Sequence, residues 1–333
     1  MAMARSALRG VIVAPPGRKL VVSDLSNIEG RVLAWLAGER WKLAGFVARD
    51  TDPDDVPDLY VQTYARVFGV DIASVTPAQR QIGKVLELAF GFGGGVGALL
   101  SAAALYSIDL DALAHSAYDA LPTQTLSRAR DSRAWFTSNK RNLFALAALA
   151  ERTWLVCESI KTMWRDAHPS TVAFWRSCEV NYRRAVEDSG LIHAPTEHLI
   201  YQCADNWLCV KLPSERYLCY PSPRVADDGT LSYMGVDAYT RKWQRIETYG
   251  AKIAENATQT VARDVMAHSM PLAEAAGFSI VLTTHDELLT EAPDHVSHNT
   301  AAQLSQVLAA RPPWATGLPL AAAGFEAYRY QKE

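Results

Sequence analysis

The chain has 333 residues, 49% of them hydrophobic, which is enough to bury a large core and to divide into about two subdomains. Its formal net charge of −3 excludes nothing, because an acidic catalytic centre offsets a basic nucleic-acid groove in the sum. Five cysteines without CxxC spacing read as reduced thiols, against a disulfide framework or a zinc site.

In chain order, residues 11–13 (VIV) and 20–25 (LVVSDL) are short β-rich runs separated by the turn APPGRK. Ser26-Asn27 reads as an N-cap pair for the helix IEGRVLAWLAGE, whose Ile28, Val32, Trp35 and Leu36 share one face. Asp24 therefore stands at a strand end beside a helix start. The acidic loop DTDPDDVPD leads into a helical YVQTYARVFGV. Thr76 and Pro77 then have the residue types of an N-cap and first helical position, opening PAQRQIGKVLELAF before the glycines of GFGGG. Residues 98–190 read as mostly helical, broken at LPT and HPS, and hold the basic stretch SRARDSRAWFTSNKRN. DNWLCVKLPSERYLCYP reads as a hairpin turning at PSER, and a long helix is expected over about 238–270. GFSIVLTTHDELLTEAP reads as a second hairpin turning at His285-Asp286, followed by a final amphipathic helix. The first ten residues lack a signal-peptide run and no stretch reaches the roughly 18 apolar residues of a membrane span, so a soluble cytoplasmic protein with no membrane partner is expected.

Strands at both ends with helices between predict an α/β (α+β) organisation. A discontinuous platform is expected from residues 1–45 and 200–333, with a helical lobe at 46–199 inserted. Pairing of the end strands would carry Asp24 towards Asp286. Two acids on rigid elements are the minimum for a two-metal site. A helix-start acid and an ordinary turn residue remain an open reading of the same spacing. On the helix from Pro77, Arg80, Lys84 and Leu88 recur every four residues, with Phe92 one turn on. Two cations followed by an apolar and an aromatic side chain suit a nucleoside triphosphate, although a solvated basic face has the same pattern. GFGGG lacks the GxxxxGK[ST] pattern and sits at a helix C-terminus, the wrong end of the dipole for a phosphate loop.

These residues resemble the polymerase core of the family A DNA polymerases, in particular its divergent bacteriophage branch. The family's DYSQIELR motif appears as Asp24-Leu-Ser-Asn-Ile-Glu29-Gly-Arg31. Its fingers motif, R-x3-K-x3-F/Y-x3-YG, appears as Arg80, Lys84, Leu88 and Phe92-Gly93. Its VHDE motif is Thr284-His285-Asp286-Glu287, and ENATQTVARD matches the palm helix that carries Gln259. The resemblance implies a right-hand palm with an antiparallel sheet over 1–45 and 200–333, and mostly helical fingers over 46–199 with an insertion at about 98–154. It implies a template-directed DNA polymerase that uses primer-template DNA and dNTPs for phage replication in the host cytoplasm. Two Mg²⁺ ions, with Mn²⁺ as an alternative, would be held by Asp24, Asp286 and the Leu25 carbonyl, with Glu287 in support. Arg80, Lys84, Leu88, Phe92 and Tyr60 would bind the nucleotide, Glu29 would gate against the 2′-hydroxyl, and Gln259, His285 and Arg31 would contact DNA.

Leu88 stands where the family has Phe or Tyr, Phe92 lacks the tyrosine hydroxyl, and Tyr60 replaces a phosphate-binding histidine. The first motif begins only 23 residues from Met1, where the family places a thumb and usually an exonuclease before it. The expectation is a thumbless core without proofreading. Three forms stay open: a fragment, a minimal enzyme, or half of a split polymerase whose second polypeptide supplies thumb and exonuclease. A non-catalytic assembly subunit, an RNA polymerase and a metal-dependent nuclease are the rival readings. Glu29 argues against the second, and the Arg80/Lys84 face has no evident use in the third.

Overall fold

The computed structural model describes residues 9–139, 143–295 and 298–331; the first eight residues and the end of the basic stretch, 140–142, lie outside them. Strand β1 (Arg18–Leu25) is followed by α1 (Ile28–Ala37), α2 (Arg40–Thr51), α3 (Leu59–Phe68) and α4 (Pro77–Phe90). Then come α5 (Val96–Leu105), α6 (Leu110–Ala117), α7 (Thr123–Ser138), α8 (Leu143–Ala148), α9 (Glu151–Ala167) and α10 (Pro169–Glu187). Strands β2 (Ile192–His193), β3 (Ile200–Ala204), β4 (Trp207–Lys211) and β5 (Tyr217–Pro221) precede β6 (Arg224–Val225), β7 (Leu231–Val236) and β8 (Trp243–Thr248). The chain continues through α11 (Gly250–Ala275), β9 (Ser279–Thr284), β10 (Glu287–Pro293), α12 (Ala301–Leu308) and β11 (Ala322–Ala327).

The two ends of the chain meet in one antiparallel sheet, ordered β11-β1-β10-β9. Its central strand β1 is buried on both faces. Leu20 and Val22 join Leu289 and Tyr330 on one side, while Val21 and Leu25 enter the main core on the other. That doubly buried run explains why LVVSDL is so uniformly apolar up to its last turn of the pleat. Helix α12 packs on β1 and β11, and α11 packs on β9. A second sheet, β2-β3-β4-β5, and a third, β6-β7-β8, flank this platform.

Three expectations need correction. The helix expected at 238–270 starts at Gly250 and runs to Ala275; the residues before it form the β7–β8 hairpin, in which Tyr233 faces Ile246. The strand that falls within the expected helix is β8, WQRIET, whose Trp243, Ile246 and Thr248 are of strand-favouring type. The tail adds β11, which pairs with β1, and the expected strand 11–13 is a single bridge from Val13 to Arg329. Asn27 is the N-cap of α1 but in a left-handed conformation with φ 51° and no side-chain capping bond, so it acts as a corner rather than a cap.

The helical region forms as its sequence suggests. Thr76 and Gln79 close a reciprocal capping box on α4, with Pro77 in its first turn. Gly83 lets α4 lie against α3, since a Cβ there would stand 2.1 Å from the Tyr60 carbonyl oxygen. Helix α10 packs along α11 and α1, so the last part of the expected inserted lobe docks on the platform. All five cysteines are free thiols. Among the described residues no single helix is long and apolar enough to cross a membrane.

Candidate active site

Asp24, the last residue but one of β1, lies directly opposite Glu287, the first residue of β10. Leu25 N–H donates to the Asp286 carbonyl at 3.0 Å, which fixes the β9–β10 turn against the end of β1. That turn is only His285-Asp286, and His285 takes a left-handed φ of 56° to make it. The motif residues 24, 25, 286 and 287, distant in sequence, thus occupy one corner of the sheet. Asp24 is exposed there, Asp286 and Glu287 are half-buried.

Glu287 is held from the C-terminal tail, where the buried Tyr330 hydroxyl donates to its Oε1. Burial, then the hydrogen bond and charge of Glu287, push the Tyr330 hydroxyl up to about 12. Asp24, Ser26 and Glu287 line one hollow of about 220 Å³. A neighbouring hollow of about 520 Å³ is lined by Asp286, His285, Glu29, Gln259 and Arg263. In it the Glu29 carboxyl stands above the ordinary glutamate value. Desolvation by its surroundings is the largest cause, followed by the charges of Asp286 and Glu255, against a hydrogen bond from Gln259 and the pull of His285. Helices α1 and α11 supply these groups because their opposite faces are buried: Val32 and Leu36 on one, Val261 and Val265 on the other.

This donor set fits hard divalent cations, since carboxylates gathered with mutual repulsion are relieved by a cation, and oxygen is the preferred ligand. Among the described residues no group of three or more His, Cys, Asp or Glu side chains is placed to hold a metal ion. Any cation here would therefore complete its shell with carbonyl, water or substrate oxygens.

The predicted nucleotide face does not share these two hollows, since no residue of α4 lines either. Arg80 Nε donates to Asp58 Oδ2 at 2.6 Å, while Asp58 Oδ1 caps α3 through Tyr60 N–H and Val61 N–H. Arg80 and Lys84 both stand over the Tyr60 ring, at 5.5 and 5.9 Å from its centre, and Lys84 also lies 5.0 Å from that of Tyr106. Burial and the charges of Glu87 and Asp58 push the Tyr60 hydroxyl up to about 12. Leu88 is 53% exposed on the same face, whereas Phe92 packs against the core. Gly93, at φ 77°, brings the end of this segment against α11, where a Cβ would stand 2.5 Å from that of Ala251.

Arg31, the third residue expected at DNA, is turned inward. It is 3% exposed, donates Nε to the Ser26 carbonyl at 2.7 Å and makes two bonds to Asp50 at 2.6 and 2.7 Å. Its guanidinium locks α1 to α2 and the sheet corner, and so orients Glu29 from behind. Tyr330, Asp58 and Glu255 were not singled out in the sequence. Asp58 carried a helix-cap signal, but nothing local marked Tyr330.

No protein-family profile matches the chain. The DNA polymerase of Bacillus phage SP02 is 31% identical over 334 residues, covering 98% of this chain and 43% of the phage protein. The chain is thus similar in sequence to phage and bacterial DNA polymerases. It spans less than half the length of that phage relative. The DNA polymerase of Escherichia phage T5 is 30% identical over 95 residues, 27% of this chain and 11% of that protein. DNA polymerase I of Caldicellulosiruptor bescii is 35% identical over 86 residues, 26% of this chain and 9% of its own. Among solved structures, the POL domain of Pol1 from M. smegmatis, in complex with DNA primer-template and dNTP, aligns with a TM-score of 0.54 at 18% identity. That alignment covers 98% of this chain and 42% of the other. The family A fold, an antiparallel palm with mostly helical fingers, is therefore the fold of this chain.

Proposed function

We propose that the chain is a template-directed DNA polymerase core that adds dNTPs to a primer 3′-hydroxyl by two-metal-ion phosphoryl transfer, in the replication of phage DNA. One observation carries the reading: Asp24 at a strand end and Asp286 in a two-residue turn are pinned side by side through the Leu25–Asp286 backbone bond. In this reading the palm comprises residues 1–45 and 200–333 and the fingers 46–199, with α10 docked back on the palm.

Asp24, Asp286 and the Leu25 carbonyl would hold two Mg²⁺ or Mn²⁺ ions, which when bound supply Lewis acidity for the 3′-hydroxyl and charge neutralisation for pyrophosphate. Glu287, fixed by Tyr330, keeps the turn rigid and adds negative potential that favours cations. Arg80 and Lys84 bind the triphosphate, with Arg80 exchanging Asp58 for phosphate oxygens as the fingers close. Tyr60 stays beneath them as a shared aromatic floor. Leu88 and Phe92 cover the base and sugar. Glu29 fills the space at the 2′ position, where desolvation by its surroundings holds its carboxyl above the ordinary glutamate value. Gln259 and His285 reach the minor-groove edge of the primer terminus, where acceptors shared by all base pairs permit sequence-independent contact.

Supplying primer-template, Mg²⁺ and the four dNTPs tests this directly. Primer lengthening with one pyrophosphate released per nucleotide added is expected; shortening of either strand without pyrophosphate would replace the reading with a nuclease.

A further inference from the structure

The sheet β2-β3-β4-β5 holds two thiols that the proposed catalysis does not use: Cys209 on β4 and Cys219 on β5 are direct cross-strand neighbours. Their sulfurs stand 3.8 Å apart. The hydrogen bonds at the two ends of this ladder define what kind of pair they form. Ser222 N–H donates to the Asn206 carbonyl at 2.8 Å, and Leu212 N–H donates to the Arg216 carbonyl at 2.8 Å. Bonded and non-bonded pairs alternate along an antiparallel ladder, so 206–222 and 212–216 as bonded pairs make 209–219 a non-bonded one. Pro221, which has no N–H to give, falls on a non-bonded pair with Trp207 in the same count. Non-bonded pairs bring their Cα atoms to about 4.5 Å, and a disulfide needs Cα atoms about 4.4–6.8 Å apart. The strands therefore already meet the backbone requirement for a bond, and rotation of the two side chains completes it.

The pair is also within reach of a reagent. Cys219 is exposed and Cys209 half-buried, whereas Cys157, Cys178 and Cys203 are buried. Side chains alternate along a strand, so Trp207 and Tyr217 share the outward face with the two thiols, and both are exposed. Burial, followed by the hydrogen bond and charge of Cys219, pushes the Cys209 thiol up to about 11. Cys219 is thus the sulfur that meets a reagent first, and Cys209 is the second thiol held at contact range behind it.

We propose that Cys209 and Cys219 form a dithiol modification site, which low-molecular-weight disulfides of the glutathione class convert to a cross-strand disulfide. The Cys219 thiolate attacks one sulfur of the reagent, breaking its S–S bond, releasing one small thiol and leaving a mixed disulfide on the protein. Cys209 then attacks the Cys219 sulfur, which closes the protein S–S bond and releases the second small thiol. The two protein thiols give up two electrons and two protons, and the reagent takes them up as its two thiols. Closure ties together the strands whose turn delivers Ser214 and Arg216 to the buried Asp264 of α11, the helix that also carries Gln259.

The test incubates the folded chain with oxidised glutathione, quenches it in acid, and reads intact mass and a tryptic map. Cleavage after Lys211 and Arg216 places the two cysteines on separate peptides. The wild type should lose two hydrogens and retain no glutathione, with one linkage joining the peptides that bear Cys209 and Cys219. Dithiothreitol should restore all five thiols. Cys209→Ser should keep one glutathione on Cys219, because the thiol that would expel it is gone. Cys219→Ser should react about tenfold more slowly, through the less accessible sulfur. Cys203→Ala removes the other cysteine of the Cys209 peptide and should behave as the wild type. Glutathione retained by the wild type, a linkage through Cys203, or a disulfide between two chains overturns the proposal. So do five thiols surviving an exposure that fully oxidises dithiothreitol. The wild-type linkage needs no substitution, so a variant that unfolds leaves the test intact.

Discussion

Replacing Glu87 by glutamine should be among the most damaging single-atom changes available in this chain. Glu87 lies on the buried side of α4, between the outward Lys84 and Leu88. It accepts hydrogen bonds from the Lys42 ammonium, the Thr63 hydroxyl at 2.9 Å and the Trp164 indole at 3.2 Å, and His168 Nε2 lies 3.1 Å away. Burial opposes its ionisation, but the charges and hydrogen bonds of Lys42 and His168 outweigh burial and hold its carboxyl well below the usual glutamate range. Lys42 is itself only 1% exposed, so glutamine would leave a buried ammonium without its counter-charge. Removing one partner of such a pair costs about 3–5 kcal/mol. With an unfolding entropy of about 2.1 cal/mol/K per residue, the 333-residue chain loses about 4–7 °C in Tm. Urea unfolding gives the free energy and a thermal melt the shift. Lys42→Met added to Glu87→Gln should restore most of the loss, because it removes the orphaned charge as well. The sign with pH follows from the lowered value: this contribution is present above pH 4.5, the ordinary carboxyl value, and disappears as pH falls through the depressed one. If Glu87→Gln unfolds within 1 kcal/mol of the wild type, or if the double variant is weaker than the single, the cluster is not what seats α4.

Four smaller outcomes follow from the site. Glu29→Ala should raise ribonucleotide incorporation relative to deoxynucleotide by tenfold or more, read from single-turnover rates with rNTP and dNTP; an unchanged ratio removes its gating role. Asp58→Asn keeps an acceptor for the α3 cap but weakens the hold on Arg80. Since that ion pair is partly exposed and worth about 0–1 kcal/mol, the dNTP KM should fall by up to about fivefold, and a rise in KM would contradict the exchange of partners. Tyr330→Phe should lower kcat more than KM by loosening Glu287. Between pH 10 and about 12 the wild type should also lose stability that Tyr330→Phe no longer loses there, because the raised hydroxyl keeps its proton in the folded state while the unfolded state releases it. Arg31→Ala should destabilise the fold without changing the salt dependence of DNA binding, since its charge is spent on Asp50; a shallower salt slope would return it to the DNA surface.

The sheet corner and the basic helix face of the proposed site were legible in the sequence because each had a local signal. An apolar run ended in Asp24, two adjacent acids followed a β-branched run, and Thr76-Pro77 announced a helix with Arg80 and Lys84 four apart. What escaped was non-local. Strand β11 exists only because β1 offers it an edge, and Ala322–Ala327 has little strand propensity of its own. The β7–β8 hairpin was hidden by polar residues whose alternation becomes evident only against a packed face. For Arg31 a motif position states nothing about which way the side chain turns; the ion pair with Asp50, from the next helix, was not legible in the sequence. Likewise, the spacing of Arg80 and Lys84 gave their shared face but not Asp58 and Tyr60, which occupy that face in the resting structure.

The most direct measurement on the central claim is a Mn²⁺ titration followed by electron paramagnetic resonance, in the presence of dCTP and with a thermal melt confirming folding. The wild type should take up two ions, and Asp24→Asn and Asp286→Asn should each lose at least one while melting normally. Two ions bound with unaltered affinity by both folded variants would contradict the account.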